Sequence, residues 1–127
     1  MKLRELLMQK KILIADRDPE VGQSLKEYLD LDYEVFLAND ALEIFTILKK
    51  TKIDLFLTGI DIPNVSILDL LQRVKNKYPD LPVFVMYIFC DCTFEMEKNV
   101  RELAQAIFLK PFDMKKLKLC IDAAFSS

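Results

Sequence analysis

Residues 12–20 read Ile-Leu-Ile-Ala-Asp-Arg-Asp-Pro-Glu, an uninterrupted apolar run that ends in a charged turn and a proline. A run of apolar residues without alternation is typical of a parallel strand that is covered on both faces. Asp18 followed by Pro19 is a helix N-cap with proline at the first helical position. Apolar residues at helical spacing then follow at Val21, Leu25, Tyr28 and Leu29. Residues 12–29 therefore predict one strand followed by one helix.

The same unit recurs along the rest of the chain. Further continuous apolar runs begin at Val35, Leu55, Val83 and Ala106. Helical spacing returns after each of them, and two of the helices are preceded by the capping boxes Asp40-x-x-Glu43 and Ser66-x-x-Asp69. Five strand-helix units with right-handed crossovers predict an α/β fold, a doubly wound five-stranded parallel sheet with five helices on its two faces.

Composition limits the classes of function. The chain has 127 residues, one domain's length, and its 18 basic and 20 acidic residues give a net charge of −2. This balance does not indicate a nucleic-acid partner held by phosphate contacts. The absence of histidine excludes histidine general bases, and two glycines are too few for a Gly-rich phosphate loop. Because no nucleophile-base pair or cofactor loop is visible, we expect no enzymatic activity, and a metabolic enzyme of doubly wound fold is the least supported alternative.

Cysteine usage and hydropathy indicate the compartment. The chain has three cysteines and no N-terminal apolar core of signal-peptide length, which favours a cytoplasmic location. No apolar run approaches the ~18 residues of a membrane span, so no membrane association is expected. Cys120 is predicted on the inner face of the last helix, with Cys90 and Cys92 in a loop, and no metal site is predicted. We interpret residues 1–9 as an N-terminal extension and residues 10–127 as the domain.

In a doubly wound sheet, functional side chains lie at the carboxyl ends of the strands. Four motifs of this chain end there in order: residues 12–20, Asp54-Leu-Phe-Leu-Thr-Gly-Ile-Asp-Ile-Pro, Leu81-Pro-Val-Phe-Val-Met and Phe108-Leu-Lys-Pro-Phe-Asp. Taken together, from Lys10 to Phe125, they resemble the receiver domain of two-component response regulators. The resemblance implies a flavodoxin-like sheet of strand order 2-1-3-4-5.

The resemblance also implies a phosphorylation pocket, and this chain departs from it. In a working receiver, carboxylates hold Mg²⁺, an aspartate of the third strand accepts the phosphoryl group, and a hydroxyl and a lysine bind its oxygens. Gly59 stands at the acceptor position, Arg17 at the second position of the acidic pair, and Tyr87 at the hydroxyl position. Only Asp16 and Lys110 match the family's pattern.

These departures change the charge of the pocket. Asp16 faces the cations of Arg17 and Lys110, so we expect weak or absent Mg²⁺ binding and no cofactor. One hypothesis is that Arg17 pairs with Asp16 or Asp61 and replaces the metal electrostatically. A second hypothesis is that the Tyr87 ring fills the space left at Gly59 and bonds Asp16 or Lys110.

An interaction surface is implied around the last strand and helix, where the family dimerises and contacts effectors. Ile107 stands where the family usually has an aromatic residue that moves on activation. The apolar members of this surface are Phe89, Phe94 and Ile107, and its charged members are Lys98, Glu102, Lys115 and Lys118. For Phe94, packing beneath the fourth helix is an equally good interpretation.

The sequence thus predicts a receiver-like signalling module of a two-component phosphorelay. Its favoured form is a pseudo-receiver that acts through protein contacts without phosphorylation. The expected partner is a signalling protein, either a histidine kinase or an effector domain, or a second copy of the chain. The alternative is a working phosphoacceptor that uses a non-standard residue such as Asp61.

Overall fold

A computed structural model of the chain describes residues 9–87, 94–109 and 113–126, with the backbone alone at 87 and 94. The strands are β1 (Lys11–Ala15), β2 (Glu34–Ala38), β3 (Leu55–Gly59), β4 (Val83–Tyr87) and β5 (Ala106–Leu109). The helices are α1 (Pro19–Leu29), α2 (Ala41–Lys50), α3 (Ile67–Lys77), α4 (Phe94–Leu103) and α5 (Met114–Ser126). The strands form one parallel sheet in the order β2-β1-β3-β4-β5, which confirms the predicted fold class.

The two faces of the sheet carry separate apolar layers. Alternate residues of a strand point to opposite faces, so Ile12 and Ile14 join the layer that α1 and α5 cover. Leu13 and Ala15 join the layer beneath α2, α3 and α4. All four are fully buried, which explains why the first strand is an unbroken apolar run.

Helix starts agree with the predicted caps. The Asp18 carboxylate accepts the Glu20 N–H at 3.0 Å, with Pro19 at the first position of α1. The Asp40 carboxylate accepts the Glu43 N–H at 2.9 Å, and the Glu43 carboxylate reaches back to the N–H of Asn39 at 2.7 Å. Each cap satisfies donors that the first helical turn leaves free, so these boundaries are set locally.

The inner face of α5 differs from the prediction at one residue. Leu117 and Ile121 are buried, but Cys120 is exposed, so its predicted position on the inner face is wrong. Leu117 and Ile121 lie four residues apart on one line of the helix, whereas Cys120 is turned about 100° from Ile121. Cys90 and Cys92 lie outside the described residues.

Polar contacts attach α5 to the turn before β2. The Tyr33 hydroxyl donates a hydrogen bond to Asp122, and the Lys118 ammonium lies 2.9 Å from Asp122 and 3.1 Å from Asp32. Burial, followed by the hydrogen bond to Asp122, raises the pKa of Tyr33 far above its usual value. Hydrogen bonds to the two aspartates raise the pKa of Lys118. Burial alone would raise the pKa of Asp122, but the bonds from Tyr33 and Lys118 outweigh it and lower that pKa.

None of the helices in the described part of the chain is long and apolar enough to cross a membrane. Residues 1–8 lie outside the described residues, so the extension at 1–9 stays a prediction.

Candidate functional site

The sheet brings the ends of β1 and β3 together at its centre. The two strands are paired, with Ala15 opposite Thr58, so Asp16 follows β1 directly beside Gly59, the last residue of β3. The strand order reverses at β1, and such switch points open a crevice at the carboxyl ends of the strands. Asp16 and Gly59 therefore lie where a doubly wound fold places its functional groups.

Asp16 is held in place by backbone and side-chain contacts. Its side chain is almost fully buried, and its Oδ1 accepts the N–H of Asp18 at 2.8 Å. Its own N–H donates to the carbonyl of Ala38 at 3.3 Å, and its carbonyl accepts from Nδ2 of Asn39 at 3.2 Å. Asn39 was not predicted as a site residue, although its place directly after β2 puts it at the same edge of the sheet.

The carboxylate of Asp16 lies close to the point where a side chain on Gly59 would begin. A Cβ atom on Gly59 would lie 2.7 Å from Oδ2 of Asp16 and 3.4 Å from its Cγ. A carbon atom does not approach an oxygen that closely, so the present position of Asp16 requires glycine at 59. The adjacent Thr58 hydroxyl is buried and bonds the carbonyl of Gly59 at 2.9 Å.

Arg17 pairs with Asp61. Its Nη1 donates to Oδ2 of Asp61 at 2.9 Å, so of the two partners predicted for Arg17 the structure shows Asp61. The two side chains are 67% and 70% exposed. An ion pair so open to water stabilises the fold by no more than about 1 kcal/mol, so its main effect is on the charge around the site.

Asp16 and Asp61, the two carboxylates at this edge, each have an oxygen engaged in a hydrogen bond. Magnesium requires several oxygen ligands in near-octahedral geometry. One oxygen of Asp16 is bonded to a backbone N–H, and Asp61 is paired with a guanidinium. Within the described ranges, no group of three or more acidic or cysteine side chains could hold a metal ion.

The remaining pocket residues are Tyr87 and Lys110. The backbone of Tyr87 ends β4, beside β3 and β5, but its side chain lies outside the described residues, as does all of Lys110. The hypothesis that the Tyr87 ring fills the space at Gly59 therefore stays a prediction. The described atom nearest to the Cβ position of Gly59 is Oδ2 of Asp16, 2.7 Å away.

The predicted interaction surface is described in part. Lys98 and Glu102 are exposed on α4, and Lys115 is exposed on α5. Ile107 of β5 is partly buried against the apolar layer beneath α2, α3 and α4. Lys118 of α5 is 27% exposed, and its ammonium lies close to Asp32 and Asp122, so its part in an interaction surface stays a prediction. Phe89 and the side chain of Phe94 lie outside the described residues.

Comparisons with known proteins agree with this architecture. Residues 12–122 match the family model described as the response regulator receiver domain. The chain is 33% identical over 123 residues to the transcriptional regulatory protein CrdR of Helicobacter pylori, covering 94% of this chain and 56% of that protein. It is 29% identical over 114 residues to sporulation initiation phosphotransferase F of Bacillus subtilis, covering 88% of this chain and 90% of that protein.

A solved structure agrees as well. The response regulator receiver domain protein (CheY-like) of Methanospirillum hungatei JF-1 superimposes with a TM-score of 0.83 at 25% identity, covering 91% of this chain and 92% of that one. The chain spans 56% of the length of CrdR and 24% of the length of the DNA-binding transcriptional regulator NtrC of Bradyrhizobium. It therefore corresponds to only part of each of these relatives. With the family model matching most of its length and with the expected strand order in its sheet, the chain belongs to the response regulator receiver domain family.

Proposed function

We propose that this chain is a pseudo-receiver, a two-component signalling module that acts through protein contacts and accepts no phosphoryl group at the end of β3. One observation carries the proposal. Gly59 has no side chain to phosphorylate, and the space where one would start holds the Asp16 carboxylate, with Oδ2 2.7 Å from the Cβ position.

The charges at the site support the same proposal. A phosphoryl transfer of the family's kind needs a divalent cation to offset charge on the transferring group. Arg17 brings a fixed positive charge to this edge and is paired with Asp61 at 2.9 Å. We expect Mg²⁺ binding to be weak or absent, because a cation that approaches Asp61 meets the guanidinium first.

The mode of action follows from the missing acceptor. A ligand shifts a conformational equilibrium only by its difference in affinity for the two states. Without a phosphoryl group that difference must come from a partner, which we propose to be a histidine kinase, an effector domain or a second copy of this chain. The relatives include a transcriptional regulatory protein and the sensor histidine kinase TmoS, so receiver-like sequences occur in both kinds of protein.

The alternative function is a working phosphoacceptor that uses Asp61. Its carboxylate is 70% exposed at the correct edge of the sheet, which favours access by a phosphodonor. However, Oδ2 of Asp61 accepts a hydrogen bond from Arg17, and the residue lies two positions beyond the end of β3. Displacement from the strand end works against the in-line geometry that the transfer requires.

Intact-mass measurement after incubation with acetyl phosphate and Mg²⁺ distinguishes the two functions. We expect no phosphoryl adduct on the wild-type chain and none on the Asp61→Asn variant. An adduct on the wild type that is lost in Asp61→Asn would establish the alternative and overturn the pseudo-receiver. The Arg17→Asp/Gly59→Asp double variant, which returns carboxylates to the two positions, serves as the comparison. Calorimetric titration with Mg²⁺ is the second measurement, and a sub-millimolar dissociation constant for the wild type would contradict the expected weak binding.

A further inference from the structure

A surface groove runs between α2 and α3, away from the ends of the strands where the candidate site lies. Its volume is about 480 Å³, and its lining includes Leu42, Phe45 and Lys49 of α2 with Arg73 and Lys77 of α3. We call it the α2-α3 groove. Its described lining residues are not those of the candidate site.

The α2-α3 groove is positively charged in a chain of net charge −2. Among the residues that the structure describes, three cations line the groove and no acidic residue does. Glu43, the acidic residue of α2, is directed to the start of its helix, where it bonds the N–H of Asn39 at 2.7 Å. Asp69 approaches Arg73 only to 4.0 Å, and both side chains are more than half exposed. The cations of this groove are therefore available to an anionic partner.

Apolar surface lies among these cations. Leu42 is 77% exposed, although it is one of the large hydrophobic residues of the chain. Phe45 is partly buried, and the guanidinium of Arg73 lies 4.4 Å from the centre of its ring. An exposed leucine beside an aromatic ring and a cation is a combination that protein interfaces favour.

The α2-α3 groove adjoins another cavity at one lining residue. A second cavity of about 630 Å³ shares Lys49 with it and lies beside the loops that lead into β3 and β4. Lys50 and Lys52 extend the positive charge along this second cavity, which also includes Asp54 and Asp80. The combination of cations and apolar side chains in the α2-α3 groove suits a segment of a protein better than a small anion.

We propose that the α2-α3 groove docks an acidic amphipathic segment of a partner protein. Carboxylates of that segment face Lys49, Arg73 and Lys77, while its apolar side chains cover Leu42 and Phe45. A nucleic acid is the less suitable partner, because its phosphates would pair with the cations but leave the apolar side chain of Leu42 exposed.

The probe is a fluorescein-labelled peptide of about four helical turns made of glutamate and leucine, tested against the whole chain by fluorescence anisotropy. The comparison peptide has glutamine at each glutamate position. The test variant is Lys49→Glu/Arg73→Glu, and the matched control is Lys10→Glu/Lys116→Glu, which reverses two exposed charges that do not line the groove. Far-UV circular dichroism of each variant confirms that the fold is retained.

We expect saturable binding of the acidic peptide that weakens about tenfold in Lys49→Glu/Arg73→Glu, since two attractive ion pairs with the peptide become repulsive on charge reversal. The control variant should change the affinity less than twofold, and Leu42→Ser should weaken binding without changing its salt dependence. The proposal is overturned by equal weakening in the two double variants, by equal binding of the glutamine peptide, or by no saturable binding. Tighter binding of a labelled single-stranded oligonucleotide would equally overturn it, in favour of a nucleic-acid surface.

Discussion

The contact between Gly59 and Asp16 predicts an unusual effect of adding a single methyl group. In a strand interior, alanine is more stable than glycine by roughly 0.5–1 kcal/mol, because glycine loses more backbone freedom on folding. In Gly59→Ala the new Cβ would lie 2.7 Å from Oδ2 of Asp16, so the carboxylate must rotate. Rotation breaks the 2.8 Å bond between Oδ1 and the N–H of Asp18. A hydrogen bond to a charged group contributes about 1.5–3 kcal/mol, so Gly59→Ala should lower the free energy of unfolding by about 1–2 kcal/mol.

A double-mutant cycle with Asp16→Ala isolates this contact. Urea unfolding followed by far-UV circular dichroism gives the free energy of unfolding for the wild type, the two single variants and the double variant. Without the carboxylate, the next neighbour of the new Cβ is the Ala15 carbonyl oxygen at 3.9 Å, an ordinary contact. In the Asp16→Ala background, Gly59→Ala should therefore stabilise the fold by about 0.5 kcal/mol. The expected coupling energy is about 2 kcal/mol, within the range of residues in direct contact.

Gly22 provides the matched control. A Cβ atom there would lie 3.4 Å from Cδ2 of Leu37, which is ordinary packing distance, and Gly22 lies within α1. Gly22→Ala should raise the free energy of unfolding by up to about 1 kcal/mol. The reasoning about Asp16 is refuted if Gly59→Ala stabilises the chain as Gly22→Ala does, or if its effect is the same with and without the Asp16 carboxylate.

Three further predictions concern stability. Tyr33→Phe removes the hydrogen bond to Asp122 and should lower the free energy of unfolding by about 1–2 kcal/mol near neutral pH, measured by urea unfolding. The lowered pKa of Asp122 gives stability that is lost as pH falls below about 4, and the raised pKa of Tyr33 gives stability that is lost as pH rises above about 10. The difference in free energy of unfolding between the wild type and Tyr33→Phe should therefore shrink in both pH ranges. A difference that stays constant with pH would contradict this prediction. Asn64 has a φ of 68°, in the left-handed region. Asn64→Ala should lower the free energy of unfolding by about 1 kcal/mol, whereas Asn64→Gly should leave it unchanged. Equal effects of the two variants in thermal unfolding would show that the left-handed backbone is not the cause. Arg17→Ala breaks the exposed pair with Asp61 and should change the free energy of unfolding by less than about 1 kcal/mol in urea, a larger loss being inconsistent with a solvated pair.

Local features of the sequence were sufficient to predict the elements and the caps. The run from Ile12 to Ala15 is apolar throughout because both faces of β1 are covered, and that requirement can be seen without coordinates. The caps at Asp18 and Asp40 act within a few residues of chain, so sequence spacing alone predicts them. Cys120 was misplaced because helical periodicity shows that a helix has an inner face but not how wide that face is.

The candidate site was predictable in its members but not in its contacts. Motif positions named Asp16, Arg17, Gly59 and Asp61, yet left open which carboxylate Arg17 would bind. The contact between Lys118 and Asp32 was not predicted, because Asp32 is remote in sequence and lies on a turn that no helical spacing relates to α5. Asn39 was missed because an amide after a strand is a common turn residue as well as a site residue.

The sequence by itself determined the fold class, the two apolar layers of the sheet and the absence of a side chain at the end of β3. Each of these depends on residue type and short-range spacing, which the chain carries in any conformation. The tertiary structure decided that Asp16 takes the space beside Gly59, that Arg17 turns to Asp61, and that cations from α2 and α3 line one groove. Such contacts join residues far apart along the chain, so they depend on strand register, helix placement and side-chain rotamers, which are fixed only when the whole core packs.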